Sequence, residues 1–389
     1  MMRDIYIVSA KRTPHGKFGG SLKGTGATTL GGIAVKGALE ASGLSQDSIE
    51  EVIFGNVIQA GNGQNPAGQC STFGGIRPEV TKNTVNVVCA SGMLAIENAY
   101  REIALGEKDI IIAGGTESMS RAPYLVSSNF RYGVKNMFGK NEAFTDSMYN
   151  DGLLDAFYLN SMGYYADLTS AKYEQSRKIV DEFALQSQER ALKASKSGYF
   201  RDEIIPMDEL GFDEGIRETS MEMLSKLRPA FNKDGVNTAG NSSQISDGAS
   251  AVVLASQQAV EQYNLKPIAK INGFWSSSMD PRDFIEAPIK STKELLDRNG
   301  WNMKDFDLVE HNEAFSGGCI LLRDQLGINN DSFNVNGGAI AFGHPLGSSG
   351  SRIVVTLLHA LRQRKLQKGI ATLCHGGGGG HSMAIEVVN

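Results

Sequence analysis

Cysteine, basic residues and long apolar runs are all scarce in this chain of 389 residues. The four cysteines, Cys70, Cys89, Cys319 and Cys374, form no Cys-x-x-Cys pair, which argues against a disulfide framework and favours a reducing, cytoplasmic setting. The chain carries 38 basic against 43 acidic residues, a formal net charge of −5, and has no block of Lys and Arg. We therefore expect neither a nucleic acid nor a membrane as a partner.

The longest apolar runs, such as 110–113 and 251–255, have the length of a strand, whereas a membrane-spanning helix needs about 20 residues. The segment Met1 to Thr13 alternates like a strand and lacks the apolar core of a secretory signal peptide. These patterns favour a globular protein with two or three domains, since a domain holds roughly 150 residues.

Glycine is the one residue in excess, with 45 copies that cluster between predicted elements. Apolar strand patterns alternate along the chain with helical periodicity. The predicted strands are 5–10, 50–57, 85–88, 109–115, 306–309, 370–373 and 383–388, and the predicted helices are 27–44, 91–105, 179–195 and 351–362. This alternation predicts an α/β architecture with largely parallel pairing.

The last third of the chain repeats the element order of the first third. A small-residue segment opens a helix in both, at Cys89 to Gly92 and at Gly347 to Gly350, and a strand ending in a glycine turn follows each helix. Between them, residues 120–165 have no clean period and are typical of a long insertion. The pattern predicts an internal duplication interrupted by an inserted segment.

Two residues at predicted loop positions have the chemistry of a nucleophile and its base. Cys89 precedes a predicted helix, where free N–H groups and the helix dipole stabilise a thiolate, although a buried structural cysteine would have the same pattern. His344, between Gly343 and Pro345, is held in a loop as a general base would be, or is bonded only to backbone.

Two further segments offer groups that stabilise an oxyanion. Cys374 ends a predicted strand, and the glycines from Gly376 to Gly380 expose backbone N–H groups. Asn312 follows another strand and either orients a water or caps the strand end. The sequence has no phosphate-loop motif and no Gly-x-Ser-x-Gly, so we set aside nucleotide-phosphate and serine-hydrolase sites.

A metal site is the remaining possibility in this part of the sequence. The residue types that could converge on zinc are His344, Cys374, His375 and His381. Their spacing matches no recognised zinc pattern, so we expect no metal.

Taken together and in order, these segments resemble the thiolase family over nearly the whole chain. The matching motifs are Asn86-Val-Val-Cys89-Ala-Ser-Gly, Gly114-Gly-Thr-Glu-Ser-Met-Ser120, Leu227-Arg-Pro-Ala-Phe231, Thr238-Ala-Gly-Asn-Ser-Ser243, Ser246-Asp-Gly-Ala249, His311-Asn-Glu-Ala-Phe315, Asn336-Gly-Gly-Ala-Ile-Ala-Phe-Gly-His344-Pro-Leu-Gly347 and Cys374-x-Gly-Gly-Gly. The resemblance implies two duplicated βαβαβαββ halves in a five-layer αβαβα sandwich. It also implies an inserted loop domain at 120–243, between an N-terminal half (1–119, completed by 244–268) and a C-terminal half (269–389).

The resemblance also implies the roles of the site residues. Cys89 is expected to be the acylated nucleophile, His344 its base, and Cys374 the acid/base at the α-carbon of the second substrate. One oxyanion hole would be formed by Asn312, through a water, with His344. The other would be formed by the backbone N–H groups of Cys89 and Gly376.

Coenzyme A is then a substrate and product, and no cofactor is expected. By the resemblance Arg217 lies where a family arginine meets the nucleotide phosphates, and a solvated surface charge is the alternative. Ser243 matches a pantetheine contact, and Met162 and Phe315 match the acyl pocket, with an ordinary core role as the alternative.

The sequence departs from the family pattern at three positions. Ser161 replaces a histidine expected to contact pantetheine, which puts that contact in doubt. His375 follows the second cysteine, where it either adds a proton donor or merely packs, and Phe342 replaces a usual leucine. Cys70 and Cys319 have no implied role and are expected to be buried structural thiols.

The leading interpretation is an acetyl-CoA C-acetyltransferase that joins two acetyl-CoA into acetoacetyl-CoA, or reverses this. The first alternative is a 3-ketoacyl-CoA thiolase of β-oxidation with a longer chain range, which Asn241 to Gly248 favours. The second is a thiolase-like protein that binds acyl-CoA without turnover, which the intact set of Cys89, Asn312, His344 and Cys374 argues against. Condensing enzymes of the ketoacyl-synthase type share the fold, and Cys374 separates this chain from them. A homo-oligomer, dimer or tetramer, is expected from the family.

Overall fold

The computed structural model describes residues 4–133 and 144–388. Its strands are β1 (Ile5–Arg12), β2 (Gly16–Lys17), β3 (Glu51–Gly55), β4 (Thr81–Val85), β5 (Ile110–Ser118), β6 (Tyr124–Leu125), β7 (Thr145–Asp146), β8 (Ser246–Ser256), β9 (Ala269–Ser278), β10 (Leu308–His311), β11 (Lys368–His375) and β12 (Gly379–Val387). Its α-helices are α1 (Ala27–Ser42), α2 (Pro66–Phe73), α3 (Ser91–Leu105), α4 (Met162–Lys172), α5 (Arg177–Lys196), α6 (Met221–Ser225), α7 (Gln257–Gln262), α8 (Ala287–Asn299), α9 (Ser316–Gln325), α10 (Ala339–Phe342) and α11 (Leu346–Arg364).

The predicted duplication is visible in the strand pairing of the described chain. Hydrogen-bonded strands follow the order β10-β11-β12-β9-β1-β8-β5-β3-β4, with β2 beside β8. In the first half β3 pairs parallel with β5, β5 antiparallel with β8, and β8 antiparallel with β1. In the second half β10, β11, β12 and β9 repeat these three pairings in the same sense. The halves join where β1 meets β9 at Tyr6 and Ile7.

The helices divide into three layers around these strands. Helices α1 and α2 cover the first half, and α8 covers β9 and β12 of the second. Between the halves, α3 packs against α11, and α11 contacts β5 and β8 on one side and β10 and β11 on the other. The large apolar core joins both halves around Ile96 and Ile353, which are fully buried. This arrangement agrees with the predicted αβαβα sandwich.

The chain between β5 and β8 lies outside the large sheet wherever it is described. It contains the two-stranded β6–β7 sheet, α4, α5 and α6, and α5 confirms the helix predicted at 179–195. Residues 134–143 of the predicted loop domain, and 1–3 and 389 of the predicted halves, lie outside the described residues. The domain boundaries themselves stay predictions.

Several predicted bounds differ from the observed ones, and two of the differences lie at the candidate site. The strand predicted at 85–88 is wrong, because β4 is a partly exposed edge strand that ends at Val85 and the next residues form a turn. Helix α11 begins at Leu346 instead of Ser351, because the buried Glu117 carboxylate accepts a hydrogen bond from the Gly347 N–H in its first turn. In the described part of the chain, no helix combines the length and apolar character that crossing a bilayer requires.

Candidate active site

The first turns of α3 and α11 meet at the middle of the molecule, and glycine makes this approach possible. A Cβ on Gly115 would overlap the carbonyl oxygen of Gly347, and a Cβ on Gly350 would lie 2.5 Å from a backbone nitrogen of α3. Only residues without side chains fit this contact. It brings the loop that carries Cys89 beside the loop that carries His344.

Cys89 follows a strained turn. Val88 has φ 52°, a left-handed conformation that a β-branched residue rarely adopts. Side chains hold the turn, because Asn86 Oδ1 accepts from the Val88 N–H at 2.9 Å and Ser91 Oγ donates to the Val88 carbonyl at 2.6 Å. Such strain concentrates at functional sites, and here it sets the position of the cysteine that follows.

Cys89 and His344 form a hydrogen-bonded pair. The Cys89 Sγ lies 3.2 Å from His344 Nε2, and His344 Nδ1 lies 2.5 Å from Ser349 Oγ. Burial, reinforced by the positive charge of Arg352, lowers the pKa of His344 to about 3. Burial and the nearby Cys374 thiol raise the pKa of Cys89 well above its usual range. The resting pair at neutral pH is therefore a thiol and a neutral imidazole.

Asn312 lies directly after β10 and is fully buried. Its Nδ2 lies 3.5 Å from both ring nitrogens of His344, while its Oδ1 accepts from Arg352 Nη2 at 3.2 Å. Arg352 is itself held by Glu310, whose Oε1 lies 2.8 Å from Nη1. Because the guanidinium only donates, it fixes the amide with the nitrogen directed at His344.

Cys374 lies near the end of β11 in an apolar cluster that includes Phe315 and Met162. Burial raises the pKa of Cys374 to about 12, so it too is a thiol at neutral pH. The backbone N–H groups of Cys89 and Gly376 lie near the Cys89 sulfur and act to lower the pKa of its thiol, against the larger effect of burial. Both groups are therefore available beside Cys89 as candidate donors for an oxyanion hole.

A cavity of about 760 Å³ reaches His344, the hydrogen-bond partner of Cys89. Its lining includes four of the residues predicted for the site: Met162, Ser243, Phe315 and His344. Ser161, where a histidine was expected, also lines the cavity and caps α4 by accepting from the Tyr164 N–H.

The apolar wall of this cavity depends on a second aromatic residue that the sequence did not single out as a contact. Phe231 packs edge-to-face against Phe315, with ring centroids 5.8 Å apart. A Cβ on Gly163 would overlap the Phe231 ring, so the glycine after Met162 is what admits it. The motif that ends at Phe231 included this residue, but the sequence could not show that its ring contacts Phe315.

Arg217, predicted at the CoA phosphates, does not line this cavity. It lines a separate depression of about 220 Å³, where its backbone N–H donates to Gln188 Oε1. Lys17, an exposed residue of β2 at the start of the glycine-rich segment 16–26, lines the cavity instead. Only the tertiary structure places this segment at the cavity, so the sequence alone gave no signal for Lys17.

The remaining unusual residues have clear surroundings. His375 Nδ1 lies 2.7 Å from the Gly376 carbonyl, and burial lowers the pKa of His375 to about 4. Phe342 packs against Phe200, with ring centroids 5.7 Å apart. Cys70 and Cys319 are buried free thiols, as expected. Within residues 4–133 and 144–388, no group of three or more His, Cys, Asp or Glu side chains is arranged to hold a metal.

Comparison with known families decides the relationship. The family described as "Thiolase, N-terminal domain" matches residues 5–258, and "Thiolase, C-terminal domain" matches residues 265–387. The chain belongs to the thiolase family. The thiolase resemblance drawn from the motifs is therefore confirmed over almost the whole chain.

Individual thiolases match this chain end to end. It is 47% identical over 397 residues to an acetyl-CoA acetyltransferase of Synechocystis sp., and 45% identical to one of Chromobacterium violaceum, with at least 98% of each chain covered. A crystal structure of human mitochondrial 3-ketoacyl-CoA thiolase in complex with CoA superposes with TM-score 0.96 at 40% identity, covering 100% of this chain and 98% of that one. The Bacillus anthracis acetyl-CoA acetyltransferase does so with TM-score 0.96 at 36% identity, covering 100% and 99%.

Proposed function

We propose that this thiolase is an acetyl-CoA C-acetyltransferase, which condenses two acetyl-CoA into acetoacetyl-CoA and CoA through an acyl-cysteine, and reverses the reaction by thiolysis. The observation that carries the proposal is the Cys89–His344 contact of 3.2 Å beside a second cysteine and two backbone donors. The full-length relatives that carry this activity in their names support the same assignment.

The first half-reaction acylates Cys89. His344 Nε2 accepts the thiol proton as Sγ attacks the thioester carbonyl, and the N–H groups of Cys89 and Gly376 stabilise the developing oxyanion. Collapse of the intermediate breaks the bond to the CoA sulfur, which leaves with the thiol proton of Cys374. Cys374 is then a thiolate, and His344 keeps the proton on Nε2. The exchange of one thioester for another is nearly isoenergetic, so the step is reversible.

The second half-reaction forms the carbon–carbon bond. The Cys374 thiolate takes a proton from the α-carbon of a second acetyl-CoA, and the enolate attacks the acetyl group on Cys89. The Cys89 thiolate that leaves regains its proton from His344. Asn312, through a water, and His344 stabilise the enolate oxygen. Such donors stabilise the enolate by roughly 3–4 kcal/mol each, which offsets part of the cost of removing a weakly acidic α-proton.

The CoA site is proposed along the cavity of about 760 Å³. Ser243 contacts the pantetheine arm, and Met162 and Phe315 enclose the acyl group. For the phosphates, Arg217 is the candidate from the sequence and Lys17, which lines the cavity, is the candidate from the structure. CoA acts as substrate and product without a cofactor. The loop domain at 120–243, the cytoplasmic location and a homodimer or homotetramer belong to the same proposal.

A longer chain range is the second candidate function. The similarity to human mitochondrial 3-ketoacyl-CoA thiolase and the Asn241 to Gly248 segment favour it. Thiolysis rates for 3-ketoacyl-CoA esters of increasing chain length decide between the two. We expect acetoacetyl-CoA to give the highest kcat/KM, and robust thiolysis of long chains would overturn the acetoacetyl assignment.

The non-catalytic alternative has its own outcome. A thiolase-like acyl-CoA carrier would bind acetoacetyl-CoA and leave it intact in the presence of CoA. Release of acetyl-CoA over many turnovers, lost in Cys89→Ala, excludes that alternative.

A further inference from the structure

Ser349, in the first turn of α11, contacts the far side of the His344 ring. It is 1% exposed, and its Oγ lies 2.5 Å from His344 Nδ1 and 2.9 Å from the Pro345 carbonyl oxygen. Neither the motifs nor the proposed reaction assigns this hydroxyl a role. Its two contacts nevertheless determine where the hydrogen on the imidazole must be.

A carbonyl oxygen can only accept, and a serine hydroxyl has one hydrogen to donate. The Ser349 hydrogen is therefore directed to Pro345, as the geometry of that bond indicates. The remaining contact, Oγ to His344 Nδ1, is then a bond in which Nδ1–H donates. A neutral imidazole with its hydrogen on Nδ1 has a lone pair on Nε2, the nitrogen that faces Cys89 Sγ.

We propose that Ser349 is a positioning residue that holds His344 in its Nδ1–H tautomer and thereby makes Nε2 the acceptor of the Cys89 proton. The inference rests on the proposed acyl transfer. During acylation the S–H bond of Cys89 breaks and an Nε2–H bond forms on His344. The Nδ1–H bond stays intact, and the imidazolium donates it to Ser349 until Nε2 returns its proton to the Cys89 thiolate that leaves in the second half-reaction.

The neighbouring serine is a matched control. Ser348 lies in the same helical turn and is also fully buried, but its Oγ lies 2.9 Å from Ser250 Oγ, in a cluster of hydroxyls below the sheet. Removing the Ser348 hydroxyl changes the packing of the turn by the same number of atoms without touching His344. A general disturbance of α11 would therefore affect both variants.

The kinetic test is single-turnover acetylation of Cys89 by acetyl-CoA, followed by peptide mapping. In Ser349→Ala the imidazole exchanges between tautomers and ring orientations, so we expect the acetylation rate to fall about 10- to 100-fold with KM little changed. We expect Ser348→Ala to stay within about twofold of the parent, and Ser349→Thr, which keeps the hydroxyl, to recover most of the rate. Equal rates for Ser349→Ala and Ser348→Ala would overturn the proposal.

A second measurement locates the hydrogen without turnover. Neutron diffraction from deuterium-exchanged crystals of the full chain is expected to show deuterium on His344 Nδ1 and none on Nε2. Deuterium on Nε2 instead would overturn the proposal even in an active enzyme. If the parent chain does not acetylate Cys89 at all, the proposed function fails, while the diffraction result still decides the tautomer.

Discussion

At the scale of single residues, the site is defined by proton positions. Both cysteines are thiols at neutral pH, since burial raises the pKa of Cys89 far above its usual range and that of Cys374 to about 12. Burial also keeps His344 neutral. In the proposed reaction the thiolate therefore forms only when substrate is attacked, unlike in enzymes that store a thiolate–imidazolium pair.

The state of this pair predicts the pH dependence of Cys89 alkylation. An acid whose pKa is raised stays protonated at neutral pH, so its thiolate fraction grows with pH. We expect the rate of Cys89 modification by iodoacetamide to rise about tenfold per pH unit between pH 6 and 8. The rate is measured by mass spectrometry as the fraction of the Cys89 peptide that is alkylated over time, with Cys89→Ala as the blank. A rate that is flat across this range would reveal a preformed thiolate.

At the scale of elements, a buried carboxylate connects the two halves beneath the catalytic loops. Glu117, at the end of β5, is 1% exposed. It accepts from Asn56 Nδ2 at 2.8 Å, from the Val57 and Ile58 N–H groups at 3.0 and 3.2 Å, and from the Gly347 N–H at 2.9 Å. The carboxylate thus fixes the start of α11, and with it the His344 loop, against the first half.

Removing this carboxylate tests the connection. Glu117→Ala leaves four buried donors unpaired, so we expect the free energy of unfolding to fall by about 3 kcal/mol or more. Urea denaturation measures the loss. The exposed Glu107 serves as control, and Glu107→Ala should cost less than about 0.5 kcal/mol. A loss of that small size in Glu117→Ala would show that Glu117 does not hold the halves together.

The elements that the sequence predicts well are those set by local periodicity. Helix α3 matches its predicted bounds at Ser91 and Leu105, since its apolar positions recur at helical spacing. The strand predicted at 85–88 failed because the side chains of Asn86 and Ser91 fold a β-branched run into a turn. Such side-chain hydrogen bonds do not change the spacing of apolar residues, so hydrophobic periodicity could not predict the turn.

At the scale of the whole molecule, the motif resemblance predicted Cys89, Asn312, His344 and Cys374 as the catalytic residues, and the fold brings their loops together. It could not reveal which cation faces the cavity, because that depends on packing between segments far apart in sequence. Lys17 lies in β2, far from Ser243 and His344 in sequence, yet all three line the same cavity. Arg217 lines a separate depression. The same limit hid Ser349, whose role follows from hydrogen-bond directions alone.

This placement predicts how substrate affinity divides between the two cations. The net charge of the chain is −5, so binding of the CoA phosphates depends on a local positive charge. Because Lys17 lines the cavity, we expect Lys17→Ala to raise KM for acetoacetyl-CoA about fivefold with kcat unchanged. Lys23 is another exposed lysine of the segment 16–26 and serves as the control, so Lys23→Ala should leave this KM unchanged. A thioester of N-acetylcysteamine lacks the phosphates of CoA, so its KM should be unchanged in all three variants: Lys17→Ala, Lys23→Ala and Arg217→Ala. Sensitivity to Arg217→Ala with indifference to Lys17→Ala would restore the sequence-based assignment.

The central claim is that Cys89 carries the acyl group, and intact-protein mass spectrometry after mixing with acetoacetyl-CoA tests it most directly. The account predicts a single added acetyl group, located on Cys89 by peptide mapping and absent in Cys89→Ala. With acetyl-CoA as the donor, the same adduct should still form in Cys374→Ala, which would fail in condensation and in cleavage of acetoacetyl-CoA. An acetyl group on Cys374, or bound CoA ester without any adduct, would contradict it.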